Sequence, residues 1–224
     1  MKHVFVTNTD SPFGLGLIQH YAQHGASVFA ACPYPDTADE LQQMSRRYPK
    51  AITLVQLDPI NREHMAAAFD LVRSRTSVLD VLINNAEMNR KLFLDSLENA
   101  FYAFRMNAIA PILLARRFTP LLLSSACPRI INIASGEPVT HDSHQPYTYN
   151  TGRQALKLYT QALASELKIE GIHVLMMELG CMQAALISAD EEIPRSVIAK
   201  TVARITSEID IMSTSTHDHP RAGH

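Results

Sequence analysis

The chain has 224 residues, of which 46% are hydrophobic and 19% charged, with a formal net charge of −2. That length suits a single domain with a full core, and that composition excludes a disordered chain. A near-neutral charge without a Lys/Arg run excludes nucleic acid and an anionic membrane as expected partners.

Three scattered cysteines, Cys32, Cys127 and Cys181, lack C-x-x-C spacing and fit a reducing compartment. The opening MKHVFVTNTD has neither the charged region nor the apolar region of a signal peptide. No apolar run approaches the roughly 18 residues of a membrane span. The expectation is a cytoplasmic protein acting on a small molecule.

In chain order, short apolar, β-branched runs alternate with helical patterns. Strands are predicted over 2–7, 27–32, 51–57, 80–84, 129–134 and 172–178. Helices are predicted near 14–24, 36–47, 61–75, 98–124 and 147–170. Strands that read as continuous apolar runs are buried on both faces, which calls for a parallel sheet covered by helices. The regular βαβ alternation makes this an α/β doubly wound domain. Residues 195–208 form one amphipathic helix. The domain is placed at 1–209, with a disordered tail over 210–224. The tail's His217, His219 and His224 have no carboxylate or cysteine beside them to fix a metal geometry, so no metal is expected.

Two stretches carry chemistry. The first strand runs into T9-D10-S11-P12-F13-G14-L15-G16, which then opens a helix. A strand, a glycine turn and a helix N-terminus make a cradle for a pyrophosphate, because backbone N–H groups and the helix dipole attract it. The second stretch sets Ser135 at the end of a strand and Tyr149 on the first turn of a long helix. Arg153 follows four residues later, on the phenol's own face. A cation beside a phenol favours its ionised form, and the serine orients the oxygen that exchanges a proton with it.

These residues resemble the motifs of short-chain dehydrogenases/reductases. Gly14 and Gly16 match the family's T-G-x-x-x-G-x-G, and N84-N85-A86 resembles its N-N-A-G. Asp58 is similar to its adenine-contacting aspartate, and Asn107 falls where its active-site asparagine stands. The detail is similar to the C-factor and sniffer branch of small carbonyl reductases. The resemblance implies a single Rossmann-type sheet whose last strand is missing or vestigial here. It implies Ser135, Tyr149, Arg153 and Asn107 as catalytic residues, although Asn107 equally suits capping a kink in the long helix. It implies Thr7, Gly14, Leu15, Gly16, Asp58, Asn84 and Ala86 as the contacts of NADP or NAD, if either binds. It also implies a homodimer formed through the helices over 98–124 and 147–170.

The chain departs from the family at particular places. Asp10 occupies the position of the first glycine, Pro33 that of a ribose- or phosphate-binding residue, and Glu87 that of the last glycine of N-N-A-G. Arg153 stands for lysine, not a conservative exchange at such a site. Leu179 and Ala184 stand for a proline and a threonine near the nicotinamide. All six positions contact the dinucleotide in the family, while the substrate-facing hydroxyls remain. The expected function is therefore cofactor-independent acid–base chemistry on a small carbonyl compound: isomerisation, dehydration or cyclisation, as in natural-product biosynthesis. The alternatives are an NAD(P)H-dependent carbonyl reductase and a non-catalytic binding or dimerisation protein.

Around this centre, His141 and His144, with Asp142 between them, lie in the loop before Tyr147. They suit substrate contact, a proton relay, a metal or a solvated loop. Tyr147 and Met182 are placed with the same substrate loop. Glu178 ends the sixth strand as a satisfied acid or a general base. Met176, Met177 and Met182 line an apolar pocket or core.

Overall fold

The computed structural model describes residues 1–86, 97–134, 147–178 and 195–214. Six strands form one parallel sheet: β1 (His3–Val6), β2 (Ser27–Cys32), β3 (Ile52–Gln56), β4 (Val81–Ala86), β5 (Arg129–Ala134) and β6 (His173–Glu178). Their order is β3-β2-β1-β4-β5-β6, so the sheet grows outward in opposite senses from the β1–β4 pair. That reversal leaves a crevice at the carboxyl ends of β1 and β4, where doubly wound sheets bind ligands.

The helices are α1 (Pro12–Gln23), α2 (Asp39–Arg47), α3 (Arg62–Arg75), α4 (Leu97–Phe104), α5 (Ala110–Leu122), α6 (Tyr147–Leu167) and α7 (Arg195–Thr214). They cover both faces of the sheet, which is why a strand such as RIINIA of β5 can be buried throughout. On one face Leu17, Ile18 and Leu41 meet Ile198, Val202 and Ile205 of α7. On the other, Val72, Leu114, Phe118 and Leu163 pack over Phe5 and Leu82. At the amino ends, His3 N–H donates to Asp80 Oδ2 at 2.7 Å and Ser125 Oγ donates to Oδ1 at 2.6 Å, tying three strand starts together.

Three predicted elements differ in form. The helix predicted over 36–47 starts at Asp39, because Pro35 opens a separate 3-10 turn over Pro35–Thr37. The helix predicted over 98–124 is interrupted by a π turn at Arg105–Ile109. Pro111 has no N–H to give the Asn107 carbonyl, and the Ala110 N–H reaches back to Arg105 instead. The last helix, expected over 195–208, runs from Arg195 to Thr214, with Ile205 and Ile209 buried. Residues 215–224, with His217, His219 and His224, lie outside the described residues. No strand follows β6 among the described residues, so β6 is the sheet's edge there. A cavity of about 160 Å3 lies between its Leu175–Glu178 and α7.

Phe118 is fully buried, with its ring 4.6 Å from Phe5 and 5.6 Å from Phe69. Phe118→Ala is expected to lower the unfolding free energy by about 3–5 kcal/mol, read from urea denaturation.

Candidate active site

The crevice is built first by the turn between β1 and α1. Asn8 takes the left-handed conformation (φ 53), which asparagine tolerates better than most residues. Ser11 caps α1: its Oγ accepts the Gly14 N–H at 3.1 Å and donates to the Asn8 carbonyl at 2.8 Å. Pro12 follows as the first helical residue, its fixed φ already suited to the helix. The turn then folds back on itself so closely that a Cβ on Gly14 would lie 2.3 Å from Asn8 O and 2.7 Å from Thr9 Cα. Both are backbone atoms and cannot step aside. Gly16 faces α7, where a Cβ would lie 2.8 Å from a methyl of Ile198.

This turn is lashed to the end of β4. The Asn85 N–H donates to Thr7 Oγ1 at 2.9 Å, and Asn85 Nδ2 lies 3.3 Å from the Asn8 carbonyl it donates to. Thr9 Oγ1 donates to Ala31 O of β2. Thr7 and Asn84, both expected as cofactor contacts, thus have structural partners. Asn84 Nδ2 donates to Pro111 O and to Asn132 Oδ1, and Asn132 Nδ2 donates to Thr160 Oγ1 on α6. This buried chain of amides locks β4, β5, α5 and α6 into one register. Asn84 Oδ1 is buried with no hydrogen-bond partner among the described residues.

The π turn brings the second element of the site. Asn107 is 5% exposed, and its Nδ2 has no partner among the described residues. It packs on the first turns of α6, where a Cβ on Gly152 would lie 3.2 Å from Asn107 Cβ. Arg153, the next residue, is 8% exposed. Tyr149 lies one turn earlier on the same helix. Asn107 thus lies within the π turn that interrupts the helix and packs beside Gly152 and Arg153 of α6.

The crevice runs on toward the ends of β2 and β3, where Asp10, Asp36 and Asp58 stand. Its floor is formed by Thr7, Pro33, Leu57, Asn84, Met106 and Pro111. Two groups sense the surrounding charge. Burial pushes the Cys32 thiol up to about 12, with Asp10 and Asp36 adding to the effect. Burial also raises the Tyr102 phenol, followed by Asp58 and then Tyr34. Asp10 itself is exposed. The left-handed residue of the turn is Asn8. Asp58 closes a local turn, its Oδ1 accepting the Ile60 N–H, while its own N–H donates to His64 Nδ1.

Other expected residues are distributed as follows. Leu15 is buried in the first turn of α1, its N–H donating to Ser11 O. Ala86 ends β4 opposite Ala134. Glu178 forms an ion pair with Lys157 at 3.5 Å, which supports the satisfied strand-end acid. Met176 Sδ lies 3.9 Å from Thr160 Oγ1, and Met177 packs against the core. Glu87, Ser135, His141, Asp142, His144, Leu179, Met182 and Ala184 lie outside the described residues, as do the side chains of Tyr147 and Tyr149. The sequence patterns did not single out Asn8, Ser11, Asn132, Thr160 or Tyr102. A Ser-Pro pair before an apolar helix is a legible cap signal; the partners of Asn132 and Thr160 are tertiary.

With this geometry in place, comparison with known proteins is direct. The family model of short chain dehydrogenases matches residues 2–193, and the chain belongs to the short-chain dehydrogenase/reductase family. A short-chain dehydrogenase of Penicillium crustosum is 28% identical over 185 residues, 81% of this chain and 65% of that protein. A short-chain dehydrogenase/reductase of Aspergillus fumigatus is 32% identical over 143 residues, 60% of this chain and 55% of that protein. The chain thus spans 65% and 55% of the lengths of these two relatives. A solved carbonyl reductase from Pseudomonas aeruginosa PAO1, in complex with NADP, matches with a TM-score of 0.77 at 20% identity, covering 94% of this chain and 91% of that one. At that identity the match shows the shared fold.

Gly14→Ala is expected to destabilise the protein by more than Gly16→Ala, because its Cβ meets backbone rather than a side-chain methyl. Paired thermal melts of the two variants check this ordering.

Proposed function

We propose that the chain is an oxidoreductase that interconverts a small carbonyl compound and its alcohol, using a nicotinamide dinucleotide, with NAD(H) favoured over NADP(H). The observation that carries this reading is the turn around Gly14. At Gly14 the backbone is packed so closely that no Cβ fits, and α1 starts just beyond the carboxyl end of β1, where an anion-binding cradle would form. Asp10 is exposed, so its charge can turn into solvent, away from a pyrophosphate held at the start of α1. The names of the relatives, dehydrogenases and reductases, support the same reaction class.

Gly14, Leu15 and Gly16 would hold the pyrophosphate at the start of α1, with Asp58 and the apolar floor at Pro33 and Leu57 beside the adenosine. The carboxylates of Asp36 and Asp58 on that side would oppose a 2′-phosphate and tolerate a free ribose hydroxyl. A bound nicotinamide supplies or accepts the hydride. The residues of the chain handle the proton: Tyr149 gives it to the carbonyl oxygen, Ser135 hydrogen-bonds that oxygen, and Arg153 favours the phenolate left behind.

Arg153 also favours a second reading: isomerisation, dehydration or cyclisation of a carbonyl compound by the same Ser135–Tyr149 pair without a dinucleotide. It is a planar, buried cation where the family's lysine has a ribose to bind. The two readings separate on nicotinamide oxidation during turnover. With NADH and a panel of small ketones and aldehydes, we expect stoichiometric oxidation, and in Tyr149→Phe a drop in kcat/KM of about 10²–10⁴-fold. Turnover without NADH consumption supports the second reading, and a Tyr149→Phe variant at full activity removes the tyrosine from both.

A further inference from the structure

At the amino ends of the strands, away from the crevice, Cys127 and Arg129 form a pair that the proposed chemistry does not use. Arg129 opens β5 and is 2% exposed. Its Nη2 donates to Cys127 Sγ at 3.0 Å, and its Nε has no hydrogen-bond partner among the described residues. No carboxylate among the described residues forms an ion pair with it. A buried guanidinium without an anion is costly to maintain, and what it faces here is sulfur. Cys127 is a free, half-buried cysteine. Its N–H donates to Ser125 Oγ at 3.2 Å, Ser125 Oγ donates to Asp80 at 2.6 Å, and Pro128 follows. The sulfur is thus held against the guanidinium while its residue keeps access to solvent.

We infer that Cys127 is an oxidation site for small hydroperoxides, with Arg129 as the positioning residue that receives the negative charge. The deprotonated sulfur attacks one peroxide oxygen; the S–O bond forms as the O–O bond breaks. The electron pair of that bond leaves on hydroxide or alkoxide, which takes up the proton that the thiol released. Sulfur is oxidised by two electrons to a sulfenic acid, and the peroxide is reduced to water or an alcohol. The guanidinium, already in contact with the sulfur, hydrogen-bonds the anionic forms before and after the step.

The test is trapping with dimedone after hydrogen peroxide treatment, read by peptide mass spectrometry. Cys32, 1% exposed and with its thiol pushed up to about 12, is the internal control. Cys127 is expected to be trapped about tenfold faster than glutathione under the same conditions, with Cys32 unlabelled. Arg129→Met is expected to remove that advantage while Cys32 stays protected. If the variant unfolds, Cys32 labels too, and the wild-type rate against glutathione carries the test alone. A wild-type Cys127 no faster than glutathione overturns the proposal. So does an Arg129→Met variant that labels Cys127 at the wild-type rate with Cys32 protected.

Discussion

The close approach of backbone to backbone at Gly14 is the constraint on which the site depends. The turn after β1 must reverse tightly enough for α1 to start above the strand ends, and the Asn8 carbonyl lies where any side chain at position 14 would go. Ser11 holds the turn by capping α1 and bonding Asn8, and Asn85 fastens it to β4. Behind the crevice, the amide chain from Asn84 through Asn132 to Thr160 ties β4 and β5 to α6. On α6, Gly152 admits Asn107, and Arg153 is buried one turn after Tyr149.

Charge then decides what the crevice accepts. A helix N-terminus draws in a phosphate, whereas Asp10, Asp36 and Asp58 surround the side where an adenosine ribose would lie. The Cys32 thiol and the Tyr102 phenol both sit in that acidic field. Attraction at the helix end and repulsion beside it would suit a ligand whose charge is concentrated on its pyrophosphate, which is the basis of the proposed preference for NAD(H) over NADP(H).

Most of the architecture was legible in the sequence because period and punctuation agree. Runs such as SVFAAC and RIINIA can only be strands buried on both faces, and β2 and β5 have the predicted bounds. The π turn was also within reach, since Pro111 stands four residues after Asn107 and must break the helical ladder there. The extension of α7 to Thr214 was harder to read, because the packing of Ile209 depends on a sheet that local composition does not describe. At the site, matching glycines by family position drew attention to Asp10, whereas the left-handed residue of the turn is Asn8. The bonds of Asn84 and Asn132 span 27, 48 and 28 residues of sequence. No local pattern encodes them.

The central claim is that the Gly14 turn seats a dinucleotide despite the family glycines replaced around it. Calorimetric titration of the wild-type protein with NADH and with NADPH tests it directly. Dissociation constants in the range of about 1–100 μM for NADH, with NADPH weaker, are the expected result. No binding heat for either nucleotide, in a protein that still turns over a carbonyl substrate, would contradict it and leave acid–base chemistry as the function of this site.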